Sequence, residues 1–160
     1  MGLRKTVGLI ALVTSIRTPL RADSEKSKSL PPGVLQALTE VEKGYCDQFL
    51  EDFKKSCKQT FRANLLWQEL EIAPQGRTAI LVENHNMGAC GSAGCSLYLF
   101  VRKADAKFVQ ILGTTGDVGA LGRVKVLKTV SEGYYNIQKT WRDDKTQTIY
   151  RWNGQRYSTH

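Results

Sequence analysis

Histidine is nearly missing from this chain: of 160 residues only His85 and His160 are histidines. His160 is the last residue, where side chains are seldom fixed, so a single imidazole is left for acid–base or metal chemistry. Long apolar runs are missing too. The apolar-leaning stretch from Val7 to Ile16 would rise only about 15 Å as a helix, half of the roughly 30 Å hydrocarbon core, which argues against a permanent membrane span. There is no internal repeat and no low-complexity tract. Acidic residues are scarce beside basic ones, 15 against 23, for a formal charge of +8.

That excess is concentrated at the start of the chain. "MGLRKTVGLIALVTSIRTPLRADS" places Arg4 and Lys5 ahead of the apolar run and small residues at Ala22 and Ser24, the layout of a secretory signal peptide over residues 1–22. Cleavage would follow Ala22 or Ser24, and no cysteine comes directly after to suggest a lipid anchor. Arg17 and Arg21 depart from the pattern, and the alternative is a cytosolic protein with an amphipathic N-terminal arm. Loss of the first 22 residues removes four basic and no acidic ones, lowering the charge from +8 to +4. Nucleic-acid binding thereby loses its compositional support, because a phosphate-binding face needs basic residues clustered in the mature protein. The 138 residues that remain suit one core: a flexible lead at 23–32 and a single α+β domain at 33–160. All four cysteines lie in this part, and an even count in an exported chain favours disulfides. The expected location is periplasmic or secreted, with a protein partner in the cell envelope.

Pro31 and Pro32 precede "GVLQALTEVEKGYCDQFLEDFKKSC", in which Val34, Leu35, Leu38 and Val41 follow helical spacing, and so do Phe49, Leu50 and Phe53 after Gly44. One helix weakened at Gly44, or a pair, would lay an apolar stripe on the sheet that follows. After Cys57 the period shifts toward two. "LLWQELEI", "TAILVEN", "CSLYLFVR", "KFVQILG", "GRVKVLKTV", "YYNIQKTW", "TQTIYRW" and "QRYST" read as short strands separated by Gly, Asp or Asn. Ile80 to Val82 and Leu97 to Val101 are apolar on both faces, which marks central strands covered on each side. Asn153-Gly154 predicts a type I′ hairpin turn. The fold class expected is α+β, with an N-terminal helix or helical pair packed on a largely antiparallel β-meander.

The densest chemistry is in "ENHNMGACGSAGC", Glu83 to Cys95. Small residues between Cys90 and Cys95 let the chain turn back, so a local disulfide is expected. Cys46 and Cys57 on a continuous helix would stand about 16 Å apart, too far to bond, so either the helix breaks between them or each finds another partner. A metal reading takes Cys90, Cys95, His85 and Met87, but a single C-x4-C pair falls short of the two knuckles that zinc sites use, and no metal or other cofactor is expected. A nucleophile reading pairs His85 with Ser92 or a reduced Cys90, oriented by Glu83 from the same strand face; it makes the protein a small hydrolase. The binding reading asks less of the residues. A closed turn is rigid before it meets a partner, with His85, Asn86, Met87, Gly91 and Ser92 as contact positions and Asn84 beside them. Of Tyr134, Tyr135, Trp141, Tyr150, Trp152 and Tyr157, half are expected in the core.

Cys57 closing a helix, "CGSAGC" entering an apolar strand and the terminal "YRWNGQRY" together resemble a group of small bacterial secreted proteins with a C-G-S-G-G-C turn, over roughly Phe49 to Tyr157. Many of that group carry a D-x-N-x-D-G loop that implies calcium. This chain reads "LEIAPQGRTAILVE" there, so the resemblance implies no Ca²⁺ site. The C-x4-C ring is also similar to that of periplasmic lysozyme inhibitors, whose ring inserts into the enzyme's active site. Those rings hold a histidine, whereas His85 lies outside this one. The reading that results is a non-enzymatic exported binding protein, an inhibitor or immunity protein against a cell-wall-active enzyme. One consequence is directly measurable: exported protein alkylated without reductant should show no free thiol at Cys90 or Cys95, and labelling at both would remove the staple.

Overall fold

The computed structural model describes residues 29–160 apart from residues 45, 49, 87–88, 92–93, 117–119, 142 and 160. The expected signal peptide and residues 23–28 of the expected lead lie outside the described residues. The first helix, α1 (Pro32–Val41), begins on two prolines, where a missing N–H costs nothing because the first turn has no acceptor for it. It ends as the Glu42 amide donates to the Leu38 carbonyl and Gly44 takes a left-handed φ of 78°. A 3-10 turn at Cys46–Gln48 then leads into α2 (Glu51–Thr60). The interruption between them brings the Cα atoms of Cys46 and Cys57 to 5.7 Å, and the two cysteines are joined. Of the two outcomes left open by sequence, the broken helix is the one observed.

Five strands form the first sheet: β1 (Leu65–Glu71), β2 (Thr78–Asn84), β3 (Cys90–Gly91), β4 (Gly94–Arg102) and β5 (Phe108–Gly116). Every pairing is antiparallel, with β4 between β2 and β5. Asn84 opposes Ser96 and Cys90 opposes Cys95, so β3 resumes the pairing of β2 along β4 after an excursion that leaves the sheet at His85. A second antiparallel sheet follows in chain order: β6 (Val124–Ser131), β7 (Tyr134–Thr140), β8 (Gln147–Trp152) and β9 (Tyr157–Ser158). The fold is α+β with antiparallel sheets. The strands expected as one meander divide into two stacked sheets.

Alternation along β2 and β4 explains the layering. Leu81, Leu97, Leu99 and Val101 point to one face and meet Val124, Ile137, Tyr150 and Tyr157 of the second sheet. Ile80, Val82 and Phe100 point to the other face and meet Val34 and Leu38 of α1. Apolarity on both faces, read from sequence as the mark of a central strand, has that meaning here. The stripe expected on the following segment does not pack so: Leu50 is 79% and Phe53 54% exposed, and Val41 is exposed as well. The Cys46–Cys57 bond ties α2 to the preceding turn, which holds the segment without burying those side chains.

The turns also differ from expectation. Asn153-Gly154 does not form a type I′ turn: Trp152 opposes Tyr157 across four residues, and only Gly154 has a positive φ. The Asn153 side-chain oxygen accepts from the amides of Gln155 and Arg156, an Asx arrangement that keeps Asn153 itself out of the left-handed region. The pair with two positive φ values is Glu132-Gly133, at 47° and 84°, joining the opposed residues Ser131 and Tyr134.

Leu38 is fully buried between α1 and the sheet. Replacing it with alanine should destabilise the protein by about 2–5 kcal/mol in equilibrium denaturant unfolding, the range for emptying a well-packed leucine site. A loss under about 1 kcal/mol would mean that the helix layer does not seal this face of the sheet.

Candidate functional site

The site is built where β2 runs out of apolar residues. "TAILV" is followed by Glu83, Asn84, His85 and Asn86, and the first two of these are completely buried. Adjacent strand residues point to opposite faces, so Glu83 turns toward the second sheet and Asn84 toward α1. Asn84 donates from Nδ2 to Glu42 Oε1 at 3.1 Å, and the Tyr98 hydroxyl donates to the same oxygen at 2.6 Å. Asn84 Oδ1 accepts from the backbone amide of Asn86 at 3.0 Å and from its Nδ2 at 2.6 Å. Asn86 Nδ2 also reaches the Phe61 carbonyl, and Asn64 donates to Asn86 Oδ1. These bonds fix the excursion from its inner side. On its outer course the Ala89 amide donates to the Asn86 carbonyl, and Ser96 donates from its amide to the Ala89 carbonyl.

Glu83 Oε2 accepts the Leu121 amide at 3.1 Å, from the 3-10 turn Ala120–Arg123 that leads into the second sheet. Its other oxygen, Oε1, lies 2.8 Å from His85 Nε2. The distance is that of an ion pair when the ring is protonated, but the ring N–H is not aimed along it. Nε2 is therefore a buried atom with no hydrogen-bond partner. The His85 side chain keeps 27% of its surface exposed, so the imidazole bridges a buried carboxylate and solvent.

Cys90 and Cys95 are bonded, with Cα atoms 3.8 Å apart across the β3–β4 pair. Cys95 is fully buried, Cys90 only partly, and the Cys90 sulfur lies 3.6 Å from the Asn84 carbonyl. Donor atoms of Glu83, His85 and Cys95 all lie within 4.8 Å of one another. With Cys95 in a disulfide its sulfur is no thiolate, so this trio offers a metal two good ligands rather than the three or four that a zinc site requires.

Of the positions singled out in the sequence, the structure thus gathers Glu83, His85, Cys90 and Cys95. Gly91 pairs with Gly94 at the ring's closed end. Met87 and Ser92 lie outside the described residues. Asn86 differs from what was expected of an adaptable contact group: it is 2% exposed, and its side chain is committed to Asn64, Asn84 and Phe61. Sequence reading missed Glu42 and Tyr98, which come from other elements. The signal that could have pointed to them is a run of four polar residues continuing a strand with two apolar faces, since such a run must find partners in both layers. No family model, curated protein or solved structure matches the chain.

The asparagine network yields a second prediction. Asn84→Ala removes one hydrogen bond from Glu42 and two from Asn86 in a buried network, so unfolding in denaturant should show a loss of about 1–3 kcal/mol. Amide exchange at Asn86 and Ala89 should speed up more than at Leu81. Equal acceleration at all three would show that the network does not hold the excursion.

Proposed function

We propose that this is an exported, non-enzymatic binding protein whose contact surface is the Cys90–Cys95 turn with His85 beside it. The observation that carries the reading is the turn's construction. A six-residue ring is closed by a disulfide and continued as a strand pair, its Cys90 sulfur lies against the Asn84 carbonyl, and buried asparagines hold Asn84 and Asn86 just before it. Such a loop has little conformational freedom left to lose on contact, which is what a recognition element gains from preorganisation. Two disulfides accounting for all four cysteines are compatible with an oxidising compartment, in keeping with the export signal read over residues 1–22. Among the described residues no helix is long and apolar enough to cross a membrane. The partner class, a cell-wall-active enzyme held by an inhibitor or immunity protein, rests on the resemblance of the ring to those of lysozyme inhibitors.

A hydrolase using His85 with Ser92 or Cys90 is the second reading, favoured by the carboxylate 2.8 Å from the imidazole. Cys90 is occupied by its disulfide, which leaves Ser92 as the nucleophile this reading needs.

The experiment is capture from envelope extract, with the oxidised protein as bait and the Cys90→Ser, Cys95→Ser double variant as control. Opening so small a ring releases the unfolded chain by only about 2 kcal/mol, so the variant should still unfold cooperatively. Its affinity for the captured enzyme should drop by about tenfold or more. Equal capture by both baits would move the contact surface away from the ring. Loss of activity in a Ser92→Ala variant toward any ester or amide substrate would favour the hydrolase instead.

A further inference from the structure

The two disulfides of this protein have different chemical surroundings. Cys46 and Cys57 are both partly exposed, and the charged groups near them in the chain, Asp47, Glu51 and Lys54, pair with one another. Cys95 lies fully buried beside an imidazole whose Nε2 has no hydrogen-bond partner, and beside a buried carboxylate, with all three donor atoms within 4.8 Å. Its partner Cys90 is partly exposed. Cys90 is therefore the one of the pair with solvent-exposed surface, while the sulfur of Cys95 sits next to groups able to handle a proton.

That asymmetry is what thiol–disulfide exchange requires. A thiolate must approach one sulfur, and the other must leave as a thiolate, faster the better its negative charge is neutralised. We propose that Cys90–Cys95 is a redox-active disulfide that oxidises peptide or protein dithiols. Cys90 receives the incoming sulfur, and His85, backed by Glu83, serves the leaving Cys95. In the first step a substrate thiolate attacks Cys90 Sγ. A substrate–Cys90 bond forms, the Cys90–Cys95 bond breaks, and Cys95 departs with the electron pair and takes a proton from the imidazolium of His85. In the second step the substrate's other thiol, deprotonated by solvent, attacks the substrate sulfur of the mixed disulfide. The Cys90 thiolate leaves and is protonated from solvent. Two substrate thiols become one disulfide and Cys90–Cys95 becomes a dithiol, a transfer of two electrons and two protons per protein molecule.

Glu83 is a positioning residue here: its Oε1 lies 2.8 Å from His85 Nε2 and holds the ring in place. The Glu83–Leu121 bond fixes the carboxylate, so the relay is in place before a thiol arrives. This inference does not rest on the binding reading. Failure to capture an envelope partner would leave the exchange chemistry standing, and absence of exchange would leave capture untouched.

The test follows both disulfides in the same molecule. The oxidised full domain is mixed with a synthetic dithiol peptide, quenched in acid, alkylated and mapped by mass spectrometry. Cys90–Cys95 should be reduced at least about tenfold faster than Cys46–Cys57, and a single-thiol peptide mixed with the unaltered oxidised protein should be found joined to Cys90 rather than to Cys95. His85→Gln should slow reduction of Cys90–Cys95 by about tenfold or more while leaving Cys46–Cys57 unchanged, because a general acid of this kind is worth that much or more. The sign separates chemistry from packing: a substitution that only loosened the loop would expose the bond and speed its reduction. Equal rates for the two disulfides, attack at Cys95 first, or a His85→Gln rate that is unchanged or higher would each overturn the proposal. The rate ratio in the unaltered protein decides the matter even where a variant fails to fold.

Discussion

A polar side chain buried on a central strand must be met by whatever layer covers its face, and β2 carries two in succession. Glu83 and Asn84 face opposite ways. The first is met by the Leu121 amide, from the turn that begins the second sheet; the second is met by Glu42, just past the end of α1. Each layer outside the first sheet is thereby pinned to it at a defined place. An apolar pair at these positions would bury more surface but specify less, since apolar contacts tolerate sliding that a short hydrogen bond does not.

The same two residues decide where the strand stops. Asn84 Oδ1 takes the Asn86 amide, a bond from a side chain to the backbone two positions on, of the kind that competes with a sheet ladder. The chain leaves the sheet at His85, and that amide donates to the Asn64 carbonyl instead. It returns only at Cys90. A break in a central strand would ordinarily leave β4 unpaired at its start, yet β3 and the disulfide resume the pairing there. His85 stands at the point of departure and the ring at the point of return, so the imidazole, the carboxylate and the sulfur come together because of one interruption in one strand.

How much of this could be read in advance depends on the range of the interaction. The strands and their central members were legible, because apolar alternation is local and Ile80 to Val82 and Leu97 to Val101 carry it plainly. The closed turn was legible from the small residues between Cys90 and Cys95. The pairing of Cys46 with Cys57 was not, because it depends on a helix breaking near Leu50, which has no proline or glycine to mark it. Nor was the division of the meander into two sheets, which depends on the chain crossing between layers after β5. Asn153-Gly154 carried the composition of one turn and took another because the Asn153 side chain capped two amides. Glu132-Gly133 lacks the usual asparagine or aspartate, yet forms the tight turn between the directly opposed Ser131 and Tyr134, with the register shift of β6 lying further back, between Val126 and Val130.

The aromatic residues settle a choice that composition left open. Tyr150 and Tyr157 are buried, and Tyr134, Tyr135, Trp141 and Trp152 are partly so, which leaves none of the six exposed. Trp152 lies between Tyr134 and Tyr157, with ring centroids at 4.4 and 5.5 Å, and Arg77 covers Tyr134 from the turn after β1. Burial lifts the Tyr157 hydroxyl well above its ordinary pKa, with a smaller push from Tyr134, and that hydroxyl donates to the Tyr135 carbonyl. These rings close the open side of the core, which β9, only two residues long, could not close with backbone pairing alone. An aromatic surface spent in this way offers a partner little to stack on. Exposed apolar side chains lie elsewhere, with Val41, Leu50 and Phe53 on the helical segment, Leu66 on β1 and Val130 on β6, and the cluster of carboxylate, imidazole and sulfur lies at the Cys90–Cys95 end of β2. The C-terminal hairpins thus serve the packing of the fold, and the clustered carboxylate, imidazole and sulfur belong to the end of the strand they help to cover.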